Sequence, residues 1–395
     1  MRPLHIAVTG LNANDNPGPG ISVIRALRAS PDFRGRIIGL AYDALEPGIY
    51  ARELVDDVFL IPYPSQGTDA LEARLQTIDA QVGLDVIIPT LDAELDAFIA
   101  LGPHLRSLGI GTFLPTRPQL RVRAKTHLAE LGRETGLRVP TTKVLTSLAD
   151  LYRVHEEIPY PFFVKGPFYG ATLVRGIDEA TKAFATAEAT WGLPIIVQAS
   201  VVGEEFDVVA VGDGRGGLVG AVPMKKHSLT DKGKGWAGIT VKDPALLDAA
   251  ARFVAKTRWR GPCEVEVIKD RAGEIHLLEV NPRFPAWVYL SAGAGHNLPW
   301  AVACLAAGRP VTLGEYRVGT MFVRISIDQI ADLGAFRQLA EGGHLTPKDL
   351  SINRGLRNWP REGPEETNWP REGPEETNSD IALASFGRTD ERTAV

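Results

Sequence analysis

Cysteine is nearly absent. Two residues, Cys263 and Cys304, stand among 395, and neither belongs to a CxxC or Cys/His ligand pattern, so neither a disulfide framework nor a zinc site is expected. Such usage fits a reducing compartment, the cytoplasm. Long apolar runs are missing as well: no segment approaches the ~20 apolar residues of a membrane helix. The opening MRPLHIAVTGLN has an apolar run that is too short and enters a glycine turn, as a first strand does and a secretory leader does not. Positive charge is not in excess, since 43 Lys and Arg face 48 Asp and Glu for a formal net charge of -5. That balance excludes an electrostatic case for nucleic acid, and the pair Lys225-Lys226 is too short to change it. No GxSxG or Cys/His nucleophile signature occurs. What remains is an ordinary composition, 44% apolar and 23% charged, long enough for two or three domains with real cores.

The apolar stretch His5 to Thr9, the glycines of PGPG (Gly18 and Gly20), and ISVIRALRAS with helical spacing of Ile21, Ile24 and Leu27 read as strand, turn and helix. The pattern recurs in IIGLAY, which ends at Asp43, and in DVIIPTLDAELDAFIALGPHL, where Val86 to Ile88 run into a helix. This is an α/β unit with a parallel sheet. Ligands in such sheets sit beyond the carboxyl ends of the strands, which puts Asp43, Asp92 and Glu94 near a cleft. A helix dipole alone also accounts for Asp92 and Glu94.

A second region opens near Leu120 with one helix through RVRAKTHLAELGRETG, ended by Gly136. Further on, PIIVQASVVGEEFDVVAVGDG reads as two strands joined by a turn at Gly203, and PALLDAAARFVAKT as a long helix. Strands and helices no longer alternate, so an α+β module is expected. MKKHSLTDKGKGWAGITV, residues 224–241, reads as a glycine-rich flexible lid in which Lys226 and His227 are candidate phosphate contacts. Trp236 and Trp287 are candidates for the wall of an acceptor pocket, or for packing.

Most of the chemistry gathers near LLEVNPRFPAW. Side chains alternate along a strand, so Glu279, Asn281 and Arg283 share a face while Leu278 and Val280 point into the opposite layer. Glu264 and Glu266 of CEVEV alternate likewise. If the two strands pair through the DRAG turn, Glu266 and Glu279 converge on one ion. Carboxylates and an amide oxygen suit Mg²⁺, and Arg283 just beyond can clamp a phosphoryl group. An exposed face carrying surface ion pairs is the bland alternative.

These elements resemble the ATP-grasp superfamily, in its carboxylate-amine ligase branch, with a grasp like those of biotin carboxylase, carbamoyl-phosphate synthetase and D-alanine ligase. The resemblance runs from about residue 5 to 315. It implies an α/β leading domain (pre-ATP-grasp, Rossmann-like) over 1–119 and an α+β ATP-grasp module over 120–315, divided at 197/198. A C-terminal extension of the grasp over 316–350 and a disordered tail over 351–395 would follow. It implies ATP as substrate with two Mg²⁺ ions, Mn²⁺ being an alternative, held by Glu266, Glu279 and Asn281. Lys125 would reach the ATP phosphates, and Lys165 would lie between adenine and the α-phosphate. Gln198, Ala199, Ser200 and Val201 would present backbone to the base, and Glu205 would take the ribose hydroxyls. Arg283 and Lys226 are the catalytic candidates. The loop GPFYGATLV has fewer glycines than the usual phosphate-covering loop, and Glu264 stands where some relatives carry arginine.

The implied reaction is attack of a carboxylate on the γ-phosphorus of ATP, followed by attack of an amine on the acyl phosphate. The partners expected are a small carboxylate and an amine, or a peptide, without nucleic acid or membrane, and a homodimer is an admissible assembly. Near the C-terminus NWPREGPEET, at 358–367, is repeated at 368–377. Each copy has too little apolar surface to offset its ordering entropy. If this tail is the enzyme's own peptide substrate, Glu362, Glu365, Glu366, Thr367, Glu372, Glu375, Glu376 and Thr377 are the residues to be modified. No lysine follows Lys348, which leaves esters from threonine to glutamate or addition of an external amine. A duplication without chemical role is the alternative. Two other readings stay open: a non-catalytic ATP-binding module that presents its tail to a partner, and a bicarbonate-using carboxylase-like enzyme. The chain lacks a biotin-attachment MKM sequence and a second grasp repeat.

Overall fold

A computed structural model describes residues 2–13, 17–51, 53–167, 170–230, 233 and 235–346. The tail and its repeats lie outside these residues. Four short strands, β1 (His5–Val8), β2 (Arg36–Ala41), β3 (Asp57–Leu60) and β4 (Val86–Ile88), form a parallel sheet in the order β3-β2-β1-β4. Their residues are apolar almost throughout because both faces are covered by helices, among them Pro19–Ala29, Thr68–Val82 and Leu95–Ser107. The PGPG glycines serve packing. A Cβ on Gly20 would lie 1.8 Å from Thr9 O, and one on Gly18 2.3 Å from Gly10 O, so only glycine lets the helix start against the end of β1.

The single helix expected from Arg121 is broken. Arg117–Val122 is one helix, Lys125–His127 a 3-10 turn and Leu128–Thr135 a second helix, closed by Gly136 at φ 67° as the sequence suggests. The break lifts Lys125 out of a helical ladder. Next come β5 (Thr142–Leu145), β6 (Phe162–Lys165), β7 (Ala171–Val174) and β8 (Ile195–Ala199), an antiparallel sheet in the order β5-β8-β6-β7. Helices Leu148–Val154 and Ile177–Trp191 cover it, and Leu151, Phe162, Phe184 and Val197 fill the space between.

The third sheet has six strands: β9 (Gly203–Asp213), β10 (Leu218–Leu229), β11 (Gly235–Thr240), β12 (Arg260–Asp270), β13 (Ile275–Asn281) and β14 (Met321–Val323), ordered β13-β12-β9-β10-β11-β14. Helix Pro244–Thr257 lays Leu246, Ala250, Phe253 and Val254 on it beside the fully buried Trp259. Two expectations are corrected here. The strands on either side of Gly203 are not a hairpin: β8 belongs to the four-stranded sheet and β9 to the six-stranded one. A Cβ on Gly203 would lie 2.3 Å from Lys269 O, so the glycine permits a close pass over β12. Where residues 224–241 were expected to be a flexible glycine-rich lid, Met224–Leu229 and Gly235–Thr240 form the β10-β11 ladder, Met224 pairing with Thr240 and Lys226 with Gly238. Their glycines let strands approach: a Cβ on Gly238 would lie 2.3 Å from Met224 Sδ.

The last described segment divides. β14 extends the six-stranded sheet, whereas β15 (His344–Leu345) pairs antiparallel with β3 of the first sheet. The chain after β13 packs against the first helix, with Ser22 Oγ donating to Ala286 O and Asn297 Nδ2 to Ala26 O at 2.7 Å. This contact carries Arg283 to the end of the parallel sheet. Among the described residues, no helix is long and apolar enough to cross a membrane.

Candidate functional site

Register brings the acids together. β12 lies between β13 and β9, with Glu266 opposite Glu279 on one side and Asp207 on the other, while Glu264 faces Asn281. The pairing through the DRAG turn is therefore the one the sequence suggests. The alternation is not quite, because a bulge interrupts the ladder between Glu266 and Val267. One extra residue of β13 is inserted there, so Leu277 and Val280 are buried, while Leu278, expected in the core, is half-buried. The bulge keeps Glu279 and Asn281 on the polar face together.

Carboxylate oxygens of Asp207, Glu264 and Glu266 lie within 4.8 Å of one another. Asn281 Nδ2 donates to Glu264 Oε2 at 3.0 Å and to Glu266 Oε1 at 2.8 Å, which leaves its carbonyl oxygen as an acceptor. Burial lifts the Glu266 carboxyl to about 7, against the pull of Lys226 and with the push of Glu279 and Glu264. Burial raises Asp207 as well. Burial and mutual repulsion both oppose charge on acids so closely packed, and a cation among them offsets that. Hard oxygen donors in this number fit a divalent ion such as Mg²⁺, with Glu266 common to the set expected from sequence (Glu266, Glu279, Asn281) and the set found in space. Asp207 was missed by sequence reasoning. Its signal was available: Glu205 and Asp207 alternate along β9 as Glu264 and Glu266 do along β12, but which strand neighbours β12 is not local information.

Lys226 sits inside this cluster. Its Nζ is 3.1 Å from Asp207 Oδ1, 3.1 Å from Glu266 Oε2 and 3.4 Å from Glu205 Oε2, with the side chain 6% exposed. Burial opposes its charge, yet Asp207, Glu266 and the neighbouring glutamates hold it well above the usual lysine range. The expected phosphate contact is thus, in this structure, a counter-charge to the acids. Lys225, on the opposite face, pairs with Glu204. His227 is exposed on β10 beyond them.

Lys125 Nζ lies 2.9 Å from Glu279 Oε2. Burial would raise Glu279, but Lys125, Lys165 and Arg283 more than offset it and hold the carboxyl at about 2. Lys165 Nζ donates to Gln198 Oε1 at 2.6 Å, and Gln198 Nε2 donates to Thr142 Oγ1 at 3.2 Å. Burial lowers Lys165. The Ala199 N–H, expected to be presented to a base, donates to Thr141 O at 2.8 Å. Ser200 and Val201 form the half-buried passage between two sheets. Glu205, expected at the ribose, faces Lys226.

Arg283 bridges the sheets. Its Nε donates to Asp92 Oδ2 at 2.9 Å and its Nη1 approaches Glu264 Oε2 at 3.4 Å, while Arg123 lies 3.6 Å from Asp92 Oδ1. Asp92 is therefore a partner of the arginine, more than a helix-dipole residue. Glu94 is different: fully buried, it accepts from Thr9 Oγ1, Tyr42 Oη and the N–H groups of Thr90 and Leu91. Trp287 is 5% exposed and gives Nε1–H to Glu264 Oε1 at 2.7 Å, so it holds an acid instead of walling an open pocket. Trp236 is half-buried on β11, and its carbonyl accepts from Arg324 N.

Residues 193–328 match a family described as ATP-grasp in the biosynthetic pathway with Ter operon. A D-alanine--D-alanine ligase of Ectopseudomonas mendocina is 24% identical over 172 residues, 40% of this chain and 54% of that one, so the chain spans about half the length of this curated relative. In fold, the chain is similar to the biotin carboxylase domain of Hydrogenobacter thermophilus 2-oxoglutarate carboxylase, described in complex with MgADP and bicarbonate: TM-score 0.62, 15% identity, 81% of this chain and 74% of that one. It is also similar to an L-amino acid ligase from Bacillus licheniformis: TM-score 0.57, 16% identity, 78% and 75% covered. The stretch that carries Glu266, Glu279, Asn281 and Arg283 is thus the part of the chain that is similar to an ATP-grasp domain.

Proposed function

We propose that the protein is an ATP-dependent ligase that joins a carboxylate to an amine through an acyl phosphate. The leading domain is assigned to 1–119, with a Rossmann-like role as the pre-ATP-grasp unit, the grasp to 120–315 and its extension to 316–350. A homodimer, by analogy with the biotin carboxylase domain, which is described as a dimer, and an amino-acid or peptide substrate, by analogy with the ligases named above, belong to the same proposal. One observation carries the reading: Lys125, Glu279, Glu266 and Lys226 form a continuous charged row, with Arg283 held over it by Asp92 and Glu264.

In the reaction, a carboxylate oxygen bonds to the γ-phosphorus of ATP and the β-γ bridging oxygen leaves with ADP. The amine nitrogen then bonds to the acyl carbon, phosphate leaves, and the nitrogen loses a proton. Lys125 and Arg283 are fixed donors for the phosphoryl oxygens as charge develops, which is where electrostatic positioning acts on such transfers. Lys165, anchored by Gln198, would meet the phosphates nearer the adenine. Glu266, Glu279 and Asn281, with Asp207 behind them, would hold Mg²⁺, which supplies charge neutralisation and orients the phosphates. Trp287 and Asn281 keep Glu264 and Glu266 oriented, and the apolar layer beneath excludes water.

The test is ADP release by the purified chain with Mg²⁺ and a panel of carboxylates and amines, bicarbonate included. Turnover with one pair, reduced about 100-fold or more in Glu279→Gln, supports the ligase. Tight ATP binding with no ADP for any pair favours the binding module, and ADP with bicarbonate alone favours the carboxylase. Intact mass before and after ATP and amine reports on the tail: loss of water, or gain of the amine less water, confined to the repeats marks self-modification, and an unchanged mass excludes it.

A further inference from the structure

The outer edge of the six-stranded sheet carries an apolar row that no described residue covers. Met321, Val323, Ile325 and Ile327 alternate along one face and are 57%, 68%, 77% and 70% exposed. β14 is the outermost strand and pairs with β11 on one side only. Arg324 N donates to Trp236 O, and just past it the chain runs beyond the start of β11. Among the described residues, the backbone groups of 325–331 then have no hydrogen-bond partner. Sheet edges are normally blunted by lysine, proline or a bulge. MFVRISIDQI, residues 321–330, has neither lysine nor proline. An exposed apolar row on an open edge marks a surface that another chain covers.

The segment complements itself. When two copies run antiparallel about a two-fold axis at Ser326, Ser326 faces its own counterpart, Ile325 faces Ile327, Arg324 faces Asp328 and Phe322 faces Ile330. Apolar thus meets apolar on both faces, and the two charges meet each other twice. Both charges are available: Asp328 is exposed, and Arg324 spends only Nε, on Gly235 O at 3.1 Å, with no ion pair for either among the described residues. Moving the axis to Ile325 or Ile327 sets Arg324 against Ser326 or Ile330 and leaves both charges unmatched. The backbone agrees with the Ser326 axis. Arg324 turns its N–H toward β11, so by the alternation of antiparallel ladders residues 323, 325 and 327 turn theirs to the open edge.

We propose that the chain forms a two-fold dimer by antiparallel pairing of residues 321–330, which joins the six-stranded sheets of two copies into one continuous sheet. The inference rests on the homodimer put forward above and names its surface. Ser326 and its counterpart then form a non-hydrogen-bonded pair with Cα atoms ~4.5 Å apart, a separation that a disulfide spans.

The experiment uses the full chain. Light scattering during gel filtration at ~10 μM protein should give twice the chain mass of 42.8 kDa. Ile325→Lys and Asp328→Arg, both at exposed positions, should each weaken association about tenfold or more, the second because it sets arginine against Arg324 at both ends of the pairing. Ser326→Cys should cross-link two chains under mild oxidation, a gain of signal that no misfolding produces in the soluble dimer fraction. Ile330→Cys, which faces Phe322, should not, and the wild type, whose Cys263 and Cys304 are both buried, is the blank. A dimer that both charged variants leave intact and that Ser326→Cys does not cross-link overturns this surface while the homodimer stands. A monomeric wild type overturns both, and gives the edge to the chain's own tail or to another protein. ADP release, followed separately, reports on the ligase reading in either case.

Discussion

Replacing Lys226 by methionine tests the logic of the charged row most directly. The ammonium is 3.1 Å from carboxylate oxygens of both Asp207 and Glu266, and all three side chains are largely shielded from water. At an effective dielectric of ~20 each contact is worth about 5 kcal/mol of attraction. Part of that offsets the loss of hydration of the lysine itself. Removing one partner of such a buried set typically destabilises by ~3–5 kcal/mol, which for a chain of this size lowers the melting temperature by roughly 4–6 °C. The pH dependence carries the sharper signature. Glu266 is lifted by burial from 4.5 to about 7 in the folded chain. Between those values the folded state keeps a proton the unfolded state has released, so stability falls as pH rises through the window. Without Lys226, Glu266 and Asp207 rise further, so the variant's deficit should be largest near pH ~8 and shrink toward pH ~5, where Glu266 is protonated in the folded form of both proteins. Thermal unfolding of both proteins at the two pH values measures it. Equal melting temperatures, or a gap that does not change with pH, would refute the argument that this lysine neutralises those acids.

Three further outcomes follow from geometry already described. Arg283→Lys cannot reach Asp92 and Glu264 with two donors, so kcat/KM should fall by ~100-fold or more with ATP affinity changed little; steady-state kinetics beside nucleotide binding would separate the two. Lys165→Gln removes the cation anchored on Gln198 and should raise the KM for ATP about tenfold, and an unchanged KM would dismiss Lys165 from the nucleotide. Gly261→Ala places a methyl 2.5 Å from Phe113 O at φ +92°, so its denaturant midpoint should drop, by more than ~1 kcal/mol of stability.

What the sequence showed, and what it hid, divides by the range of the cause. Val86 to Ile88, the helix Pro244–Thr257 and the Glu266/Glu279 pairing were legible because a local apolar pattern and one short turn determine them. Residues 224–241 were read as a lid, since their lysines and glycines resemble a solvated loop until strand β9 supplies Glu204 and Asp207 on opposite faces of β10. Asp92 could not be tied to Arg283, 191 residues away, because packing of the chain after β13 onto the first helix joins them. The bulge that leaves Leu278 half-buried belongs to the same class: alternation is a local rule, and a ladder with unequal strands breaks it.

The pairing of β15 with β3 bears on synthesis. Phe59 stacks on His344 at 4.4 Å, Leu60 N donates to Gly343 O, and Arg74 donates to the same carbonyl. Those partners leave the ribosome some 285 residues after β3 does. For most of translation, then, the outer strand of the earliest sheet waits with an unpaired rim, a surface prone to joining foreign strands. Shielding of that rim by a chaperone, or slow emergence of the intervening sheets, should set how much of the newly made protein reaches its native form.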